Sequence, residues 1–177
     1  ALCHHGLFAY LFPLSEHGAG DSASGLAPSL LERALENTDA RINGGKSVTP
    51  AFLIAALLWE AMVDEQKRLQ ANDVNEHDAH ALAAARIISA QVARVAFPRR
   101  FTQMTREIWS LQTRLSRRTP KRVERVIEHP RFRAAYDFLV LRAESGEPLA
   151  ELAEWWTDYQ DVDEAARGAM REALKPT

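Results

Sequence analysis

The sequence predicts an all-α fold, a helical bundle of about eight helices with no sheet. Three observations carry that prediction. Apolar residues recur at steps of three and four nearly everywhere, the spacing of one helix face, and no run alternates as paired strands do. Two Thr-Pro pairs, Thr49–Pro50 and Thr119–Pro120, match a helix start with threonine as N-cap and proline in the first helical position. The chain of 177 residues, 46% hydrophobic and 26% charged, is long enough to bury a real core.

Taken in order, residues 2–12 read as a short apolar helix stopped by Pro13, and residues 15–27, rich in Gly, Ser and Ala, as a loop. Pro28 opens a helix to about Ile42 whose apolar set is Leu30, Leu31, Ala34, Leu35 and Ile42. NGGKS, residues 43–47, is a turn. The helix starting at Thr49–Pro50 runs to about Leu69 and is apolar nearly all round at first, which predicts a central position. Asp73 or Asn75 starts the next helix, which ends before Pro98 and carries Leu82, Ile87, Ile88, Val92 and Val95. Residues 99–118 form the clearest amphipathic helix, with Phe101, Met104, Ile108, Leu111 and Leu115 at steps of three and four. A short helix from Thr119–Pro120 ends at Glu128, and His129–Pro130 breaks the chain. The next helix carries Phe132, Ala135, Tyr136, Leu139 and Ala143. SGEP, residues 145–148, is a turn, and Leu149, Leu152, Trp156 and Tyr159 make a last apolar stripe. Residues 161–177 read as a polar tail, Ala-rich in its last 15 residues, with a frayed helix as the other reading of that stretch.

Cys3 is the single cysteine, so no disulfide forms within the chain and a reducing, cytoplasmic setting is expected. The longest apolar run, residues 51–59, is about half the roughly 18 residues a membrane span needs. No cationic stretch precedes an apolar one as in a secretory signal.

The net charge of −2 hides a strong asymmetry. Residues 94–133 carry 12 basic and 3 acidic residues, a net +9, between flanks of net −5 and −6. Eleven basic residues define the candidate surface: Arg99, Arg100, Arg106, Arg114, Arg117, Arg118, Lys121, Arg122, Arg125, Arg131 and Arg133. Arg106 and Arg117 are eleven residues apart and so lie about 20° from each other on a helix, opposite the Phe101/Met104/Ile108 stripe, with Arg114 on their flank. In the next segment Val123, Val126 and Ile127 are left for the core, with Lys121, Arg122 and Arg125 outside. Guanidinium forks match phosphate oxygens in pairs and stack on bases, so the pattern points to a nucleic-acid backbone. The plain alternative is a solvated helix face neutralised by Glu and Asp elsewhere in the fold, for which the acidic residues of 134–177 could supply partners.

Catalytic patterns are sparse. His77–Asp78 with His80 suggests a metal-dependent phosphohydrolase, whose remaining ligands would be His4 or His5 and Asp137, but nothing else supports those ligands and the favoured reading is that Asp78 and Glu76 suit a helix N-terminus. Asp161 and Asp163 have the spacing of a metal-binding pair but sit in a polar tail. NGGKS lacks the preceding strand of a phosphate loop. Trp109, Trp155, Trp156, Phe132 and Tyr136 could stack on bases, yet their helical spacing reads as core.

Residues 106–147, REIWSLQTRLSRRTPKRVERVIEHPRFRAAYDFLVLRAESGE, resemble the region that follows the catalytic domain of bacterial poly(A) polymerases. The matching features are Ile108, Trp109, Leu111 and Gln112, the pair Arg117–Arg118, Lys121–Arg122, and His129 through Asp137. LLERALENTDARI, TPAFLIAALLWEAM and ELAEWWTDYQ resemble the family's other helices, so the likeness covers roughly residues 6–160. One departure is Pro120, where the family usually has glycine before the Lys-Arg pair.

The resemblance implies a neck-like helical segment at 1–45, a helical RNA-binding body at 46–160 and a tail at 161–177. It implies a part of a template-independent nucleotidyltransferase that adds AMP from ATP to RNA 3′ ends. The catalytic head, with ATP, Mg2+ and an Asp-x-Asp strand, is not among these residues, so no cofactor and no activity are expected of this chain alone. RNA 3′ ends, the head and RNA-decay proteins are the implied partners, with no membrane. CCA-adding tRNA enzymes share the architecture, though the wording of 106–147 favours the poly(A) branch. A helical adaptor docking an acidic protein is the alternative from another class.

Overall fold

A computed structural model describes residues 30–45 and 48–175. The expected helix at 2–12, the loop at 15–27, Cys3, His4 and His5 lie outside the described residues. Among the described residues there are nine helices and no strand: α1 (Leu30–Asn43), α2 (Pro50–Leu57), α3 (Trp59–Gln70), α4 (Glu76–Val92), α5 (Arg99–Ser116), α6 (Pro120–Ile127), α7 (Phe132–Glu144), α8 (Ala150–Asp161) and α9 (Glu164–Glu172). The fold is all-α, and none of these helices is long and apolar enough to cross a membrane. The chain divides into two compact units with the boundary between Arg106 and Glu107, inside α5.

In the first unit, α1 packs on α2, α2 continues into α3, and α3 lies along α4. The single helix expected from Thr49 to Leu69 is interrupted at Leu58, whose backbone (φ −103°, ψ 3°) leaves the helical region. No proline or glycine marks that site, so nothing in the local sequence signals it. The nearly all-apolar surface is buried as expected, with Ala51, Ile54, Ala55, Ala56, Leu58, Trp59 and Met62 inside. On α4 the buried face is made of Ala79, Ala83, Ala84, Ile87, Ile88 and Gln91, whereas Leu82 (43%) and Val92 (39%) face water. Small side chains win the inner face because helices packed closely leave little room for larger ones.

The helix starts follow backbone restriction more than side-chain capping. Thr49 (φ −94°, ψ 121°) and Thr119 (φ −130°, ψ 155°) are extended, the conformation a following proline imposes. Neither hydroxyl makes a capping bond; the Thr119 carbonyl instead accepts from the amides of Arg122 and Val123 at 2.9 Å each. Asn75 caps α4 in the usual way. Its Oδ1 accepts from the Asp78 amide at 3.0 Å and its Nδ2 donates to Asp78 Oδ2 at 2.6 Å. Asp78 is thereby spent on a helix start.

The second unit is built around Leu111, Leu115, Val123, Val126, Phe132, Ala135, Leu139, Ala153, Trp156 and Tyr159. Trp156 is fully buried, and its indole N–H donates to the Leu115 carbonyl at 3.1 Å. Gly146 (φ +98°) makes the turn after α7, a conformation side chains resist. Residues 164–172, within the segment read as a polar tail, are helical, and Met170 and Leu174 pack on the core. Asp163 caps that helix by accepting from the Ala166 amide at 2.9 Å.

Glu65 on α3 accepts two bonds from Arg68 at 2.7 Å and one from Arg86 of α4 at 2.8 Å. Arg68 first and Arg86 second hold its carboxyl down from 4.5 to about 2. A carboxylate whose folded pKa is depressed stabilises the fold above its ordinary value, and the contribution is lost as pH falls through that interval. A Glu65→Gln variant should therefore unfold at a lower urea concentration than the parent at neutral pH. The gap should close as pH falls from 4.5 toward 2, and a gap constant across that interval would refute the assignment.

Candidate nucleic-acid interface

Short helix α6 sets the geometry of the basic surface. Val123 and Val126 are buried at 1% and 3%, and Ile127 packs beside them. At ~100° per residue this places Lys121 and Arg125 on the far side from the core and Arg122 on one flank. All three are exposed. Glu124 falls on the other flank, where Arg171 of α9 meets it at 3.3 Å. Pro120, the departure from the family pattern, occupies the first turn of α6, with Lys121 next to it and open to water.

The end of α5 repeats the arrangement. Ile108, Trp109, Leu111, Gln112 and Leu115 are buried, and Arg114 and Arg117 are exposed. In the first unit Arg99, Arg100 and Arg106 are exposed as well. Among the described residues no ion pair holds Arg99, Arg100, Arg106, Arg114, Lys121, Arg122 or Arg125.

Arg100 lies 4.7 Å over the Phe101 ring, and others among the candidates are engaged in the scaffold. Arg131 bonds Glu107 at 3.1 Å, tying the α7 entrance to α5. Arg133 pairs with Asp137 at 3.0 Å and lies 5.3 Å over the Tyr136 ring. Arg118 lies 4.8 Å over the Trp155 ring. Burial lowers its pKa while the field of Glu151 opposes the shift.

Among the described residues, carboxylates of 134–177 meet the block at least where Asp137 pairs with Arg133 and where the field of Glu151 acts on Arg118. The carboxylates Glu151, Glu154, Asp158 and Asp161 form an exposed line along α8, opposite its buried Ala153 and Trp156.

Several residues of the 106–147 pattern prove to be packing groups. Gln112, 3% exposed, donates to the carbonyls of Ile108 (3.2 Å) and Ala135 (3.0 Å) and accepts from Arg142 Nη1 at 3.0 Å. Arg142 also grips Glu147 through Nε (2.9 Å) and Nη2 (2.6 Å). His129 Nδ1 accepts from the Arg131 amide at 3.0 Å, which makes the break before α7 a local cap. Trp109, Trp156 and Phe132, considered as base-stacking groups, are 0%, 0% and 7% exposed.

The residue that sequence reasoning missed is Arg171. It bonds the Tyr159 hydroxyl (2.7 Å) and Glu164 (2.7 Å) besides Glu124, and its pKa is raised, by Glu164 first. Its partners lie 7 and 12 residues back, and Glu124 further still, so no local spacing announces it.

Among the described residues no three His, Cys, Asp or Glu side chains gather where a metal could sit. What the surface offers chemically is fixed positive charge. Because Gln112 is buried and satisfied, Gln112→Leu removes the side-chain donor to the Ala135 carbonyl and the Gln112 oxygen that accepts from Arg142 Nη1. The substitution should cost about 1–3 kcal/mol in urea unfolding, with secondary structure retained; a neutral result would show that Gln112 is dispensable to the core.

A family described as the arginine-rich C-terminus of polymerase A matches residues 72–177. Curated relatives, each called Poly(A) polymerase I, are similar over most of this chain. The Escherichia coli O6:H1 protein is 41% identical over 162 residues, which cover 90% of this chain and 35% of that protein. The Salmonella typhi protein is 40% identical over 157 residues, covering 87% and 34%. The Haemophilus influenzae protein is 37% identical over 175 residues, covering 98% and 38%. The chain therefore spans about a third of the length of these relatives. With its buried Ile-Trp-x-Leu-Gln segment, its exposed cations on α5 and α6 and the match over 72–177, this chain belongs to the polymerase A arginine-rich C-terminus family.

Proposed function

We propose that this chain is the RNA-holding region of a polynucleotide adenylyltransferase. In that reading a separate head adds AMP from ATP, with Mg2+, to an RNA 3′ end, while the helical region keeps the strand from leaving. The surrounding process is mRNA polyadenylation and RNA decay. The observation that carries the reading is the α6 surface: Lys121, Arg122 and Arg125 stand in water, free of ion pairs among the described residues, on a helix whose other face is locked by Val123 and Val126. The likeness to proteins called Poly(A) polymerase I supports RNA as the polyanion.

Cations that meet phosphates release counterions, so affinity for single-stranded RNA should fall with salt by about 0.7 in log–log slope per phosphate neutralised. Replacing Lys121, Arg122 and Arg125 together by alanine should reduce that slope by about 2, as three contacts require. The helix should survive, since alanine favours helices and all three side chains are exposed. Fluorescence anisotropy with a labelled RNA across a salt series measures the slope. An unchanged slope in the triple variant, or RNA affinity indifferent to salt in the parent, would remove the surface from consideration.

A further inference from the structure

The one carboxylate of α6 stands among its cations. The helix reads PKRVERVI, with Glu124 between the pair Lys121–Arg122 and Arg125. Residues three or four apart on a helix are surface neighbours, and opposite charges at that spacing pair. By spacing, the partner open to Glu124 on its own helix is Lys121, three residues back. Such a pair would withdraw one cation from the basic surface. The structure shows another pairing. Glu124 Oε1 meets Nε of Arg171, on α9, at 3.3 Å. Among the described residues no ion pair holds Lys121.

Arg171 is fixed in place for this contact. Each of its three guanidinium nitrogens has its own partner: Nε meets Glu124, Nη1 donates to the Tyr159 hydroxyl at 2.7 Å, and Nη2 donates to Glu164 at 2.7 Å. Tyr159 is a buried anchor of α8. The Arg171 side chain is 18% exposed against 55% for Glu124, so the carboxylate turns to a cation that is itself packed on the unit. Glu164 shares the same guanidinium, so the effect is one of placement rather than of net charge. The other holds on α9 do not involve Arg171. Arg167 donates to the carbonyls of Tyr159 and Gln160 at 2.8 Å each, and Met170 and Leu174 pack on the core.

We propose that Arg171 is a positioning residue for the polyanion surface: it draws Glu124 to the α9 flank of α6 and so leaves Lys121 open to phosphate. The proposal rests on the RNA-holding reading and adds to it a residue far outside the arginine block, acting through a carboxylate. Without Arg171 a polyanion must first displace Glu124 from Lys121 before it can use that cation.

The test is fluorescence anisotropy with a labelled single-stranded RNA across a salt series. The chains compared are the parent, Arg171→Gln, Glu124→Gln, the two combined, and Lys121→Ala/Arg122→Ala/Arg125→Ala. Arg171→Gln should lower the log–log slope by about 0.7, the share of one phosphate contact. Glu124→Gln alone should leave the slope of the parent, and adding it to Arg171→Gln should restore that slope. A merely structural role for Arg171 would not be mended by changing Glu124. A parental slope in Arg171→Gln, or a combined variant as weak as Arg171→Gln, overturns the proposal and leaves RNA holding intact. Should Arg171→Gln not fold, Glu124→Gln decides by itself. A slope raised by about 0.7 shows that Glu124 already competes for a cation in the parent and overturns the proposal, whereas an unchanged slope upholds it. If the triple variant keeps the slope of the parent, the RNA-holding reading falls and the role of Arg171 falls with it.

Discussion

The arrangement of the second unit depends on the burial of Val123 and Val126. A helix of eight residues has little stability of its own, so α6 exists because its apolar edge is held by the core. Once that edge is fixed, the 3.6-residue period decides where every other side chain points. Lys121, Arg122 and Arg125 reach water because the valines do not. Glu124, on the same helix, turns to Arg171 and gives α9 a second hold on α6 beyond the packing of Met170 and Leu174. Hydrophobic burial and charge presentation are two consequences of one helix orientation.

The arginine-rich block divides by role. Arg131 and Arg133 pair with Glu107 and Asp137, and Arg118 covers Trp155, so these cations finish the surface of the core. A guanidinium suits that task, since its flat face covers a ring while its charge stays near water. The same chemistry serves the partly buried Gln112–Arg142–Glu147 chain of bonds, which joins α5 to the end of α7. Ile108, Trp109, Gln112, His129 and Ala135, which carry part of the family resemblance, are taken up by packing and local bonds. The exposed cations are held by fewer constraints, and their value lies in number and placement.

Charge is also segregated within this unit. Four carboxylates run along the outer side of α8, while α6 and the end of α5 expose cations. Clusters of like charge set up fields that orient an approaching polyanion before contact is made. That division explains how a chain of net charge −2 can present a concentrated positive surface.

Sequence alone determined the elements whose causes are local. Apolar spacing gave the all-α class and the amphipathic α5; the Thr-Pro pairs gave the starts of α2 and α6; His129–Pro130 gave the break before α7. Each rests on a dihedral restriction or a period within one stretch of chain. The outward set Arg114, Arg117, Lys121, Arg122 and Arg125 was legible for the same reason, since it follows from the buried stripe beside it. Tertiary structure decided what depends on distant partners. The interruption at Leu58, the outward Leu82 and Val92, and the docking of α9 through Arg171 have no local signature. Arg131 could be told from Arg125 only once Glu107, 24 residues away, was brought within 3.1 Å. A side chain's neighbours along the chain fix its direction, but its partner is chosen by packing.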